Sequence, residues 1–279
     1  MEVQMRILIN KPIYFISVLI LLFFIFIFLN PGIIAPYNPL QMNPQSILQS
    51  PSFQHIFGTD EFGRDIFSRC VYGIRTSLFV SFTSIAIASI VGTIIGIVSG
   101  YYGGLIDMVI MRLVDALFAL PSLILALFVI SLFGASTINE ILAISIIYTP
   151  IIARMIRSVT LSIKSNLYVE ASKALGTNDV DVIFRHAFPN IFPTWIVIFT
   201  LNVSTAILAD ASLSFLGLGT PPPTPTLGGM ISSGTSFLPF AWWISVFPGI
   251  IIAIIVIVIN VIGDFLDESF NPKKIKQSI

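Results

Sequence analysis

Charge is the scarcest property of this 279-residue chain: Asp, Glu, Lys and Arg make up 10% of it, fourteen acidic against fourteen basic, for a formal net charge of zero. A typical globular domain carries about 25% charged residues. With so few, and with 56% of its residues in the apolar set AVILMFWYC, the chain cannot cover the outside of a soluble core. The sparse, balanced charge also excludes the basic stripe of a nucleic-acid binder. Cysteine is represented by Cys70 alone, so neither a disulfide framework nor a thiolate metal site can be built within the chain. Histidine is represented by His55 and His186, which the topology below puts on opposite sides of a membrane. No G-x-x-x-x-G-K-[ST] phosphate loop occurs, so the chain does not bind and hydrolyse ATP by that route. H-E-x-x-H and G-x-S-x-G are missing as well, which leaves a membrane-embedded hydrolase without its chemistry.

What the chain has instead is long apolar runs. Six are long enough for the roughly 20 helical residues that cross about 30 Å of hydrocarbon: Ile13 to Leu29, Ser77 to Ser99, Val114 to Phe133, Ile138 to Ile156, Ile191 to Phe215 and Ala241 to Ile262. A lipid-exposed backbone must satisfy its own hydrogen bonds, and barrel strands would alternate over about ten residues, so continuous runs mean helices. The expected class is all-α, a polytopic bundle of six transmembrane helices. The first run follows Arg6 and Lys11, as a secretory signal would, but no A-x-A-like site closes it, and it reads as the first span.

Lys and Arg set the orientation. With the N-terminus inside, eleven of the fourteen fall on the inner side and only Arg64, Arg69 and Arg75 on the outer side, so both termini are expected to be cytoplasmic. The expected division is an N-terminal span with a large outer loop over residues 1–72, a helical bundle over 73–267 and a cytoplasmic tail over 268–279. The outer segment from Asn30 to Arg75 ends in HIFGTDEFGRDIFSR. It reads either as a solvated loop with turns at Gly58, Asp60 and Gly63, or as a docking surface or lid. Ala88, Gly92, Gly96 and Gly100 form a small-residue stripe suited to close helix packing in lipid. Pro121, Pro150 and Pro248 lie inside predicted spans and favour kinks.

Ionisable groups at membrane depth are costly, by about 2.5 to 3.5 kcal/mol on insertion scales. Asp210, near the outer end of the fifth run and without a charged sequence neighbour, is a candidate pathway or gate residue, against a helix-end carboxylate bonded to hydroxyls or backbone. Arg112 and Asp115, three apart, read as an interfacial ion pair. A secondary transporter or channel driven by an ion gradient is the alternative from another class. It predicts inverted repeats or several buried acids, whereas this sequence offers Asp210 and no convincing repeat.

The longest inner loop, Arg157 to Asn190, predicts a helix-turn-helix finger. Tyr168 to Leu175 forms one short helix, stopped by Gly176 in the left-handed conformation. Thr177 or Asn178 caps the next helix, with Asp179 and Asp181 in its favourable first turn and Pro189 at its end. Val169, Leu175, Val182, Ile183 and Phe184 give the finger a face for a partner.

At Glu170-Ala171-Ser172, Gly176, Ile183 and Phe188-Pro189 the chain resembles the EAA loop of bacterial and archaeal ABC importer permeases, departing from it mildly at Ser172 and Phe188. The segments FGTDEFGRDIFSRCVYGIRTSL and ASLSFLGLGTPPPTPTLGGMI, with Gly263-Asp264 and Asn271-Pro272, are similar to the dipeptide, oligopeptide and nickel permease group, and to its second permease subunit. The resemblance implies the type I permease fold and a place in the cell membrane of a bacterium or archaeon. It implies three kinds of partner besides membrane lipid: a second homologous permease, two cytoplasmic ABC ATPase subunits, and an extracellular solute-binding protein that the stiff Pro221 to Pro225 loop would meet. Glu170, Ala171, Ser172, Gly176, Ile183 and Pro189 would belong to the loop that couples ATPase closure to the membrane. ATP and Mg would be bound by the ATPase subunits and not by this chain, whose cargo would be peptides or a related solute such as nickel.

Overall fold

The computed structural model describes residues 12–270, so both predicted cytoplasmic termini, with Arg6, Lys11, Asn271, Pro272 and the lysines that follow, lie outside the described residues. Nine helices organise the described chain: α1 (Pro12–Leu29), α2 (Ile66–Tyr102), α3 (Gly104–Phe118), α4 (Ser122–Phe133), α5 (Thr137–Lys164), α6 (Leu167–Ala174), α7 (Phe188–Phe215), α8 (Leu227–Gly234) and α9 (Trp243–Phe270), besides shorter turns. Five of them, α1, α2, α5, α7 and α9, are long and apolar enough to cross a membrane, and the bent pair α3 and α4 makes a sixth if the two count as one span. On α1, Phe15, Ile16, Leu19, Leu22 and Phe23 are exposed. In water such a surface would drive association; in a bilayer it meets acyl chains.

The third predicted span is corrected. Rather than one rod from Val114 to Phe133, the chain bends by 88° between α3 and α4. Proline disfavours the helical conformation in the residue before it and has no N–H to continue the ladder, and the break falls at Leu120-Pro121. By contrast, Pro150 and Pro248 lie inside continuous helices.

The bundle is built around α2 and α5. With 37 residues, α2 is about 55 Å long at 1.5 Å per residue, well beyond the hydrocarbon thickness. It starts where the Asp65 carboxylate accepts from Ser68 N–H at 2.7 Å, and stops at Gly103, whose φ is 68°. The small-residue stripe lies against α5: a Cβ added to Gly92, Gly96 or Gly100 would come within 2.6 to 2.9 Å of the backbone oxygens of Thr149, Ala153 and Arg157. Packing is therefore what the stripe does. At its inner end Asp107 of α3 accepts from Ser99 of α2 and from both Nε and Nη2 of Arg157 in α5, tying three helices together. Asp115 pairs with Arg154 of α5 at 2.7 Å rather than with Arg112, since α3 packs against α5.

The outer segment is a folded cap. Asp60 accepts from the backbone N–H groups of Phe62 and Arg64 and from the Arg64 guanidinium, while Arg69 donates to the Pro39 carbonyl at 3.1 Å. Gly63 has φ 72°, and a Cβ there would lie 1.9 Å from the Asn43 oxygen, so glycine is required for this turn. The Trp243 indole donates to the Thr59 carbonyl at 3.1 Å, and Phe57 stacks on Phe247 with centroids 4.1 Å apart. These contacts seat the cap on α9.

Candidate functional site

Two candidate sites sit at opposite ends of the bundle. The inner one is the finger. Its first helix, α6, ends in a Schellman motif: Thr177 N–H bonds to the Ser172 carbonyl at 3.2 Å and Gly176 N–H to Lys173 at 2.9 Å. Gly176 has φ 84°, and a Cβ there would meet nothing within 4 Å, so the backbone conformation alone demands glycine. Of the two proposed caps it is Asn178 that acts, accepting from Asp181 N–H at 2.7 Å, and Asp179–Val182 is the turn it starts. Ala171 and Ser172 lie on α6 beside Glu170, whose backbone is helical and whose side chain lies outside the described part of the structure.

Pro189 does not end the second helix. Ile183–Ala187 forms a π turn that runs directly into α7, where Pro189 occupies the first turn. The Phe188 N–H bonds to the Ile183 carbonyl five residues back, and the wide turn hands the chain to a proline position that needs no donor. Sequence reasoning took the proline for a stop because a π turn has no local signature.

The finger's apolar residues divide into two sets. Val169 and Val182 are buried and Ile183 is half-buried, holding the finger against the bundle, whereas Leu175 and Phe184 are 87% and 67% exposed. Across the gap between the finger's arms, the Tyr101 hydroxyl at the inner end of α2 donates to Asp179 at 2.6 Å. Lys173 of α6 approaches the same carboxylate at 3.4 Å and lies 4.5 Å above the Tyr101 ring. The Tyr101 hydrogen bond holds the Asp179 carboxyl below the usual carboxylate range, with Lys173 and Lys164 adding to the effect. None of this was legible from sequence, since Tyr101 carries no charge and lies 78 residues away.

The outer place is centred on Asp210, 1% exposed on α7. Glu140, fully buried in the first turn of α5, lies beside it and interacts with it directly. The hydropathy reading missed Glu140 because it stands at the polar start of a span. Glu140 accepts from the Thr220 hydroxyl at 3.0 Å and is approached by the Ser214 hydroxyl at 3.5 Å, one turn beyond Asp210. The Asp210 carboxyl is buried facing the Ser77 hydroxyl of α2 and the Glu140 carboxyl of α5. Ser214 and Thr220 also floor an outer cavity of about 500 Å³ that is lined by Glu61, Arg64 and Arg69. The structure thus brings Asp210 together with a second acid and places Glu170, Ala171, Ser172, Gly176, Ile183 and Pro189 at the far end of the bundle.

No group of three or more His, Cys, Asp or Glu side chains suited to a metal is present among the described residues. His55 instead pairs with Asp65 at 2.9 Å inside the cap, and Cys70 is a buried free thiol.

Comparison with known proteins bears on this arrangement directly. The dipeptide transport system permease protein DppC of Alkalihalophilus pseudofirmus is 41% identical over 258 residues, covering 92% of this chain and 85% of that protein. The glutathione transport system permease protein GsiD of Escherichia coli O6:K15:H31 is 38% identical, covering 86% of this chain and 80% of that protein. The inward-facing MetNI methionine ABC transporter has a chain of the same fold, with TM-score 0.59, 19% identity, and coverage of 75% of this chain and 95% of that one. Residues 92–276 match the family described as binding-protein-dependent transport system inner membrane component. With apolar helices crossing the membrane, an inner finger, and relatives aligned over most of its length, the chain belongs to the binding-protein-dependent transport system inner membrane component family, as a multi-pass transport permease and not a catalytic enzyme.

Proposed function

We propose that this permease carries peptides across the cell membrane of a bacterium or archaeon, receiving them from an extracellular binding protein and drawing its energy from ATP hydrolysed, with Mg, on two separate cytoplasmic ATPase subunits. It would pair with a second homologous permease, the substrate passing between the two. The carrying observation is the finger: a capped element with Leu175 and Phe184 turned outward, joined without interruption to the long helix α7. An apolar face of this kind at the inner end of a bundle suits a cleft in another subunit. Glu170, Ala171, Ser172, Gly176, Ile183 and Pro189 are then the coupling loop. Relatives named for dipeptide and for glutathione, itself a small peptide, favour peptide cargo over nickel.

At the other end, buried Asp210 of α7 and Glu140 of α5 are assigned to an outer gate, since two acids facing each other give the helix pair a polar seam that can open without exposing an apolar core. ATP acts at a distance only if nucleotide state changes contacts that differ between the two access states.

Reconstitution of the permease pair with its ATPases and binding protein in vesicles tests the reading. The expected result is dipeptide uptake against a gradient that requires external binding protein and internal ATP. Uphill transport by this chain alone, without nucleotide, would overturn it, and nickel uptake with no dipeptide uptake would overturn the cargo assignment.

A further inference from the structure

The finger is chain-adjacent to α5 on one side and to α7 on the other, yet a short polar contact ties it to a third helix. Tyr101 is buried at the last-but-one position of α2, and its hydroxyl donates to Asp179 at 2.6 Å. Asp179 opens the finger's second arm, immediately after the Asn178 cap. Lys173, from the first arm, sits 4.5 Å above the same ring and 3.4 Å from the same carboxylate. One phenol therefore touches both arms of the finger while its backbone belongs to a membrane helix.

That membrane helix cannot move alone. Gly92, Gly96 and Gly100 hold α2 against α5 at a separation that a single added Cβ would violate. Ser99 and Arg157, one near each helix's inner end, meet on the Asp107 carboxylate at the start of α3. Displacing the end of α2 must displace α5 and α3 with it, because closely packed helices shift as units rather than deform.

Taking the finger to be the coupling loop proposed above, we infer that Tyr101 is a positioning residue that passes the finger's displacement to α2, through its hydroxyl bond to Asp179 and its ring beneath Lys173. Without that bond the finger still reaches α5 and α7 through the chain, and ATP is still hydrolysed. The α2–α5–α3 unit then follows less faithfully, so the cost appears in the number of solute molecules moved per ATP.

The test measures ATP hydrolysis and solute uptake separately on the complete importer in vesicles, with saturating binding protein. Tyr101→Phe keeps the ring, its burial and its place beneath Lys173 but removes the donor. It should leave co-purification with the ATPase and the hydrolysis rate within about two-fold, and lower solute moved per ATP by roughly ten-fold, as befits one charge-assisted hydrogen bond. Asp179→Asn retains an acceptor for Tyr101 and should stay near the parent ratio; Asp179→Ala should fall with Tyr101→Phe.

An unchanged ratio in Tyr101→Phe overturns the inference. So does failure of both Tyr101→Phe and Asp179→Ala to assemble, which would make the bond a folding contact. Leu175→Asp separates this from the coupling reading: if it still co-purifies with the ATPase and supports normal hydrolysis, the finger's role falls. If it loses both while Tyr101→Phe is unaffected, only the part assigned to Tyr101 is lost.

Discussion

Two glycines show how one residue type answers to different physics. Gly176 needs its left-handed φ of 84° and has open space where a Cβ would point. Gly96 has ordinary helical geometry but would place a Cβ 2.6 Å from the Ala153 carbonyl oxygen. Gly176→Val therefore costs only backbone strain, about 1–2 kcal/mol, confined to the finger. Gly96→Val forces α2 from α5, and overpacking of this kind costs about 1–3 kcal/mol at the centre of the bundle. Thermal unfolding in detergent should show a clear fall in Tm for Gly96→Val and little change for Gly176→Val, while uptake falls in both. The glycine positions were legible in the sequence, as a turn signal in one case and a four-residue stripe in the other. That Gly63 must let the Asn43 backbone pass was not, because the partner is brought there by the fold of the cap.

Among the elements, the finger and the broken third crossing carry the clearest consequences. Asp179 is held below the usual carboxylate range by Tyr101, so the folded finger prefers the charged form more than the unfolded chain does. Its contribution is fully present above the unfolded value of about 3.9 and is lost as pH falls through the lower folded value. Hydrogen exchange in residues 167–187 should show protection with no Asp179-dependent change from pH 7 down to about 5, then an acid loss that Asp179→Asn removes. At the bend, the two ion pairs of α5 differ in kind. Arg157 grips Asp107 through two nitrogens in a partly buried site, whereas Arg154 and Asp115 are 50% and 61% exposed. Exposed pairs contribute about 0–1 kcal/mol; a charged hydrogen bond sheltered from solvent contributes about 1.5–3 kcal/mol. Arg157→Gln should therefore lower Tm measurably and Arg154→Gln little, read by thermal unfolding of the solubilised permease. Five spans were plain from hydropathy alone. The break was foreshadowed by Pro121, but whether a proline kinks or breaks a helix depends on what packs beyond it, as the unbroken helices through Pro150 and Pro248 show.

At the level of the whole molecule, the cap and the finger stand at opposite ends of the bundle. The cap is seated by Trp243, whose indole bonds to Thr59 across 184 residues, and by Phe57 against Phe247. Trp243→Phe deletes that hydrogen bond, worth about 0.5–1.5 kcal/mol. It should make residues 38–64 more open to protease from the outer side while leaving basal ATP hydrolysis by the assembled importer unchanged. Glu140 and Asp210 lie toward the same end of the bundle as the cap, where Thr220 of the loop after α7 bonds to Glu140 of α5.

By itself the sequence determined the helical membrane class, five of the long apolar helices, and the existence of a finger with a glycine turn. Those properties follow from local hydropathy, local charge and local backbone preference, each of which acts within one helix or one turn. Only the tertiary structure decided which polar groups meet: Tyr101 with Asp179, Glu140 with Asp210 and Thr220, Arg154 with Asp115 in place of Arg112. Each pairing depends on how far two helices are rotated and how closely their backbones approach. Hydropathy, which weighs a residue without its direction, is silent on both.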